Sequence, residues 1–280
     1  MLSVVLGLLT ASFFASTSLI TSRSVKIIGS ASSLAWTMVV GLLITTPFLV
    51  ASGVPANLGA SAPWMVMAGL GNVLGILLAG FALRVGKVGV VAPILATGGA
   101  ISALISALLG ESIAPLVAFV LLVIVAGVVL SAVAPDPAPL ENERPVYAVV
   151  ISSLAAMCIG AGLFATGNLS DELPLSWVLL PARLVGVLVI FLPLLLTRRL
   201  GITRSTAPMV IAMGFTEVLG FVCFAIGAQY QLAVMSVFSS QFAPIAAIAA
   251  YVLFKERLGR LQIVGVAVIV VGVTALTLVN

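Results

Sequence analysis

The chain has 280 residues, of which 62% are hydrophobic and only 7% are charged, and it contains no histidine. A soluble globular protein carries about 25% charged residues, so this composition excludes a water-soluble protein and predicts an integral membrane protein. The net charge of +4 comes from only 12 basic and 8 acidic residues, without a basic tail, and therefore predicts no nucleic-acid partner.

Apolar segments long enough to cross a bilayer follow one another along the whole chain. A membrane-spanning helix needs about 20 apolar residues, and turn residues or charges separate ten such segments. The predicted spans cover 3–22, 31–51, 62–83, 88–109, 113–132, 146–167, 175–196, 206–228, 232–253 and 260–279. The first span lacks a charged region before its apolar run, which predicts a retained helix and not a cleaved signal peptide. The longest polar interruption, PDPAPLENERP at 135–145, is typical of a solvated linker.

The two halves of the chain match each other, without a gap, when the sequence is shifted by 145 residues. Single apolar identities arise easily by chance, but glycines, a proline and a glutamate in one common register do not. The matching positions are Gly41 and Gly186, Pro63 and Pro208, Gly69 and Gly214, Gly75 and Gly220, Glu111 and Glu256, and Gly127 and Gly272. We therefore interpret 1–135 as a first five-helix repeat, 136–145 as a linker and 146–280 as a second repeat.

Because five is odd, the second repeat enters the membrane in the opposite sense, as in many secondary transporters. Eleven of the twelve basic residues then fall on one side, and the opposite loops carry none. They are Arg23, Lys26, Arg84, Lys87, Arg144, Arg198, Arg199, Arg204, Lys255, Arg257 and Arg260. The positive-inside rule assigns this side to the cytoplasm. The sequence thus predicts a multi-pass protein of the cell (inner) membrane with both termini extracytoplasmic.

Three stretches of the chain resemble a known family. LLGESIAPLVAFVLLVIVAGVVL (108–130) and LFKERLGRLQIVGVAVIVVGVTAL (253–276) resemble the signature that closes each half of ten-helix (EamA-type) exporters of the drug/metabolite transporter superfamily. RVGKVGVVAPILA (84–96) is similar to that family's loop and fourth helix. The resemblance implies an alternating-access carrier in which the fourth and fifth helices of each half meet at the Glu motif, and it implies export. Two features depart from the pattern: Ser112 follows Glu111 where an arginine follows Glu256, and the predicted termini face outward.

Glu217 is the acidic residue that lies inside a predicted span. It lies about eleven residues into the eighth span, roughly 16 Å deep at 1.5 Å per residue. A carboxylate near the bilayer midplane is costly and usually faces a cavity with a partner. Its counterpart in the first repeat is Asn72, in GLGNVLG. Three roles are open: a carrier of a coupling proton, a ligand for a cationic group of the substrate, or a structural group held permanently by a partner.

Arg183 is the basic residue that lies inside a predicted span, in SWVLLPARLVGVL. It lies about six residues from Trp177, roughly 9 Å below the outer interface. One alternative is a salt bridge to Glu217 or a clamp for a substrate carboxylate. The other is that its long side chain reaches the lipid headgroups. Pro181 weakens the helix at this point and favours a polar path.

Further candidate cavity residues lie on the ninth, fourth and second spans. Ser240 and Gln241 stand close to Pro244, and Thr97 follows Pro93 at the corresponding place in the first half. Interrupted helices at matching places indicate a carrier's site, although small residues at these depths also suit close helix packing. Trp36 is a further candidate for an aromatic wall. Glu111 and Glu256, at helix ends, are predicted to cap or fix loops, with a gating role implied by the family resemblance.

One intramembrane glutamate and one arginine are few residues for catalysis, and we predict that the protein is not an enzyme. It has no histidine and no intramembrane aspartate, and Cys158 and Cys223 lie in apolar runs where cysteine behaves as a small hydrophobe. We expect no cofactor and no metal site. The function predicted is secondary active export of small metabolites or amino-acid-like compounds by a monomer in the bilayer. The alternative is a lipid or lipid-linked sugar flippase on the same fold.

Overall fold

The computed structural model describes residues 2–55, 57–98, 143–170, 173–240, 242–255 and 258–279, with single residues or short runs between 101 and 130. These residues are almost entirely helical, and no strand occurs among them. Numbered in chain order, the helices are α1 (Leu2–Ile28), α2 (Ser30–Ser52), α3 (Leu58–Val85), α4 (Val88–Ala96), α5 (Pro145–Ser170), α6 (Leu175–Leu196), α7 (Ala207–Ser240), α8 (Phe242–Phe254) and α9 (Arg260–Val279).

Six helices in the described part of the chain are long and apolar enough to cross a bilayer, namely α1, α2, α3, α5, α6 and the first half of α7. Their outer faces carry large exposed side chains such as Leu43, Phe48 and Leu188. A protein in water seldom exposes apolar patches on this scale, whereas lipid solvates them. The all-helical architecture also satisfies the backbone hydrogen bonds within each segment, as a lipid environment requires. The fold is therefore that of a membrane protein.

The helix boundaries agree with the predicted spans at most places. They differ at the end of α1, which runs to Ile28 where the prediction ended at 22, and between the eighth and ninth spans. Helix α6 has the predicted limits, and α2 extends them by one residue at each end. The prediction separated the eighth and ninth spans at 229–231, but α7 runs through this segment to Ser240. The sequence QYQLAVM at 229–235 contains polar side chains but neither glycine nor proline. Polar side chains alone do not end a helix, and residues such as glutamine, leucine, alanine and methionine have a good helix propensity.

Glycines mark the close approaches between helices, and these contacts occur in pairs. Four glycines of the first half each pack against a side chain of the second half. In each case the counterpart of the glycine, 145 residues later, packs against the counterpart of that side chain, 145 residues earlier. The pairs are Gly41 on Arg183 with Gly186 on Met38, Gly69 on Val185 with Gly214 on Val40, Gly75 on Ile159 with Gly220 on Phe14, and Gly127 on Ile269 with Gly272 on Ile124. The matched sequence register thus corresponds to matched packing.

Contacts between loops and helix ends bring three basic residues, and the loop at Gly201 with Arg198, Arg199 and Arg204, to one end of the bundle. Arg23 lies over the ring of Phe254, 4.3 Å from its centroid, and Lys87 forms a buried ion pair with Glu143 at 4.0 Å. Arg144 N donates to Val85 O at 2.9 Å, and Gly201 N donates to Ser32 Oγ at 3.0 Å. At the opposite end, the Ser52 and Ser176 hydroxyl groups lie 2.8 Å apart, and Trp177 Nε1 donates to Gly53 O. The bundle therefore has one basic end.

Candidate functional site

A buried ion pair joins α6 to α7 inside the bundle. Arg183 Nη1 donates to Glu217 Oε1 at 2.9 Å, and the two residues are only 1% and 4% exposed. Of the two alternatives for Arg183, the structure has the ion pair, and the arginine does not reach towards the headgroups. Each charge would be costly alone in this apolar interior, so each holds the other there.

Helix α2 contacts the guanidinium group of Arg183 through Met38 and Gly41. Met38 Sδ accepts a second hydrogen bond from Arg183 Nη1 at 3.4 Å, although a thioether is a weak acceptor. Gly41, one turn further along α2, passes directly beneath the arginine. A methyl group at position 41 would lie 2.7 Å from Arg183 Nε and 3.2 Å from Cζ. The glycine therefore leaves just enough room for the guanidinium group to reach Glu217.

The local structure of α6 departs from a regular helix next to the arginine. Pro181 and Pro193 both lie within this helix, and residues Gly186–Phe191 between them form a π-helical turn. Leu192 N donates to Val187 O, five residues back. A proline lacks the N–H that an α-helical bond requires, and the wider turn accommodates this loss. Such π-turns are frequent at functional sites.

The polar atoms of the site are not all paired. Glu217 Oε2, Arg183 Nε and Asn72 Oδ1 are buried and have no hydrogen-bond partner among the residues that the structure describes. Most buried polar atoms in proteins are hydrogen-bonded, so three unpaired atoms in one region mark a place where ligand or water can bind. Asn72 is also the residue that matches Glu217 in the first half of the chain.

A small cavity opens beside Arg183 and Asn72. Its remaining walls come from α3, α5, α6 and α7, and they are Ala68, Thr166, Val178, Leu179, Ala182 and Phe221. Glu217 lies one helical turn from Phe221 on the same face of α7. In this conformation the free space suffices only for a molecule about the size of water. The site is therefore a small, largely apolar cavity with a charged end.

The structure brings together three of the predicted site residues, Arg183, Glu217 and Asn72. Trp36 lies elsewhere: its Nε1 donates to Gly201 O at 3.1 Å, and its ring packs against Phe191. Thr97 is not among the residues that line the cavity; it ends α4, with its hydroxyl group donating to Ile94 O. The predictions for Gln241, Glu111, Glu256 and the side chain of Ser240 lie outside the described residues.

Sequence reasoning did not select Met38, Thr166 or the aliphatic wall of Val178 and Leu179. Only Met38 carried a usable signal, because it is the position that matches Arg183 under the shift of 145 residues. The sequence identifies Gly41 as a matched glycine but does not reveal that it packs against the side chain of Arg183. The cavity wall could not be predicted, because one apolar residue looks like another until the helices are packed.

Comparisons with known proteins identify a fold but no family. No family model matches the chain, and no curated protein matches it. Solved structures do match: one, described as "Crystal structure of protein", superposes with a TM-score of 0.68 over 99% of this chain and 96% of its own. The two sequences are 18% identical, so this likeness shows a shared fold along nearly the whole length of both chains.

Proposed function

We propose that the protein is a secondary active transporter of the cell membrane that exports small metabolites or amino-acid-like compounds. In this proposal ten helices form two inverted five-helix repeats, and alternating access between the repeats moves the substrate. The observation that carries the proposal is the buried Arg183–Glu217 pair beside a small cavity. Ionisable residues inside membrane spans are costly and mark substrate or ion pathways.

The paired packing of the two halves supports the repeat part of the proposal. Where Arg183 of α6 lies on Gly41 of α2, Met38 of α2 lies on Gly186 of α6. In the same way, Gly75 of α3 packs on Ile159 of α5, and Gly220 of α7 packs on Phe14 of α1. Inverted repeats place the substrate site between the halves near the midplane, and the ion pair lies beside the α2–α6 contact between the halves.

The small cavity and the irregular α6 support alternating access. In this conformation the cavity has room only for a molecule about the size of water, so a substrate can bind only after the helices move, as alternating access requires. The π-helical turn Gly186–Phe191 adjoins the arginine, and a local change there would move Arg183 without unfolding the helix. Substrate entry then needs the helices around the cavity to separate.

A metabolite profile of the medium tests this function. Cells would express wild-type protein, Glu217→Gln or Thr46→Ala at equal membrane levels, and the extracellular compounds would be compared. Thr46 is exposed on α2 and away from the cavity, so Thr46→Ala is the matched control. We expect wild type and Thr46→Ala to raise one class of compound outside the cell and Glu217→Gln to abolish the rise.

Two other results would change the proposal. If Glu217→Gln exports as well as wild type, the ion pair has a structural role and the substrate site lies elsewhere. If no protein changes the medium, export fails, and the next test is lipid movement in liposomes of defined headgroup. Movement that depends on the headgroup would establish the flippase alternative instead.

A further inference from the structure

The interior of the bundle is balanced in charge. Apart from Arg260, which is the first residue of the last predicted span, Arg183 and Glu217 are the basic and acidic residues within the predicted spans, and they neutralise each other. A substrate with a single net charge would add an unpaired charge to this apolar region, which is strongly unfavourable. A substrate with no net charge avoids this cost, so the charge balance selects against simple cations and simple anions.

The unpaired atoms of the site require a ligand that has both hydrogen-bond donors and hydrogen-bond acceptors. Within the described part of the chain, Glu217 Oε2 and Asn72 Oδ1 are acceptors without a donor, and Arg183 Nε is a donor without an acceptor. An ammonium group has three donors and no acceptor, whereas a carboxylate has only acceptors and suits the planar guanidinium group. A neutral alcohol or amide would satisfy these atoms only in part and would leave both charges to each other.

A zwitterion can open the ion pair without leaving either charge alone. Its carboxylate takes the place of Glu217 on Arg183, while its ammonium group binds Glu217 and Asn72. One ion pair becomes two, and the total charge of the site stays at zero throughout. A lone cation or anion would bind one member of the pair and leave the other uncompensated, which is the costly case.

The contacts of Arg183 with α2 and the apolar cavity wall indicate what the side chain of the ligand should be. Gly41 and Met38 contact the guanidinium group from the side of α2, so Arg183 is held on that side in this conformation. Val178, Leu179 and Phe221 make the wall apolar. The cavity has little free space, and a substrate with a short aliphatic side chain therefore requires the smallest opening of the bundle.

We propose that the Arg183–Glu217 pair with Asn72 is a binding site for a small zwitterion that carries an ammonium group and a carboxylate, such as an aliphatic α-amino acid. This inference rests on the proposed function and makes its substrate class specific. It assigns the carboxylate to Arg183 and the ammonium group to Glu217 and Asn72, with the side chain against the wall of α6.

Binding to the purified full-length protein in detergent tests the inference. The probes are glycine, L-alanine and L-valine, their amides, which lack the carboxylate, and their 2-hydroxy acids, which lack the ammonium group. We expect at least one amino acid to bind about ten-fold or more tightly than its own amide and hydroxy acid, because each analogue leaves a buried charge or polar group unpaired. Equal affinities within every set, or no binding in any set, would overturn the inference.

Two variants add opposite changes in selectivity that a purely structural role would not produce. Glu217→Gln removes the partner of the ammonium group and is expected to shift the preference towards the hydroxy acid. Arg183→Met removes the partner of the carboxylate and is expected to shift it towards the amide. The wild-type series decides the matter if either variant fails to fold. Export is measured separately: an amino acid that binds but is not exported would refute the function alone, and export of a simple cation or anion would refute the inference alone.

Discussion

At the scale of single residues, the Arg183–Glu217 pair makes a quantitative prediction about stability. Arg183→Met or Glu217→Gln alone leaves a charge buried without a partner and is expected to lower the free energy of unfolding by about 3–5 kcal/mol. The double variant Arg183→Met/Glu217→Gln buries no charge and is expected to recover most of this loss. Unfolding of the purified protein in detergent, followed by circular dichroism, measures all three.

Lys26→Met is the control for this comparison, because Lys26 is an exposed cation at the end of α1. Its removal is expected to change stability by at most about 0.5 kcal/mol. If the double variant were as unstable as the two single losses added together, the two side chains would be acting independently, and the ion pair could not be what holds them in the interior.

The residue scale also shows where sequence reasoning succeeds. A charge inside an apolar run is conspicuous, so Glu217, Arg183 and the matching Asn72 could be selected without a structure. Trp36 was selected on its aromatic character alone, and it packs instead against Phe191 and the loop at Gly201. Rarity in an apolar span is thus a stronger signal than residue type, because a rare polar group must find a partner whereas an aromatic ring packs almost anywhere.

At the scale of helices, the contact between α2 and α6 predicts a difference between two glycines. Gly41→Ala places a methyl group 2.7 Å from Arg183 Nε, so the guanidinium group must move and the pair with Glu217 must weaken. We expect a loss of about 1–3 kcal/mol, the usual cost of overpacking. Gly59→Ala in α3 has nothing within 4 Å of the new methyl group and is expected to be neutral or to stabilise by up to about 1 kcal/mol.

The same unfolding measurement distinguishes the two alanine variants, and coupling to Glu217 identifies the cause. If Gly41→Ala acts through the arginine, it should cost little more once the ion pair has been removed by Arg183→Met/Glu217→Gln. An undiminished cost in that background would mean that the methyl group disturbs the packing of α2 on α6 in general and that Gly41 has no special relation to the pair.

Helix boundaries were in most cases predictable where glycine, proline or charge ends the helix, and unpredictable elsewhere. The charged segment after α6 ends that helix near its predicted limit. At the end of α1 the predicted span stopped at 22, whereas the helix continues to Ile28 and ends at Gly29, which has a φ of 81°. No such residue stands at 229–231, and α7 continues there. The π-helical turn in α6 was also not predicted in form, although Pro181 had indicated a weak point close to it.

At the scale of the whole molecule, matched contacts and charges make the orientation testable. The shift of 145 residues could be recognised from the sequence because glycines carry it, and the packing of four glycine pairs follows the same shift. The predicted orientation in the membrane rests on the positive-inside rule, which assigns basic loops to the cytoplasm, and not on the fold itself. The fold contributes by bringing the loops at Arg23, Arg144 and Gly201 to one end.

Two exposed loop positions at opposite ends of the bundle test the predicted orientation. Val54 is 78% exposed between α2 and α3, and Ile202 is 46% exposed between α6 and α7, beside the basic residues. In a background of Cys158→Ala and Cys223→Ala, each would be replaced by cysteine and labelled in intact cells with a membrane-impermeant maleimide. We expect Val54→Cys to be labelled at once and Ile202→Cys only after the cells are permeabilised. The reverse pattern would place the termini in the cytoplasm, and equal labelling of both would contradict their location at opposite ends, because a closed bundle exposes only one end to each side of the membrane.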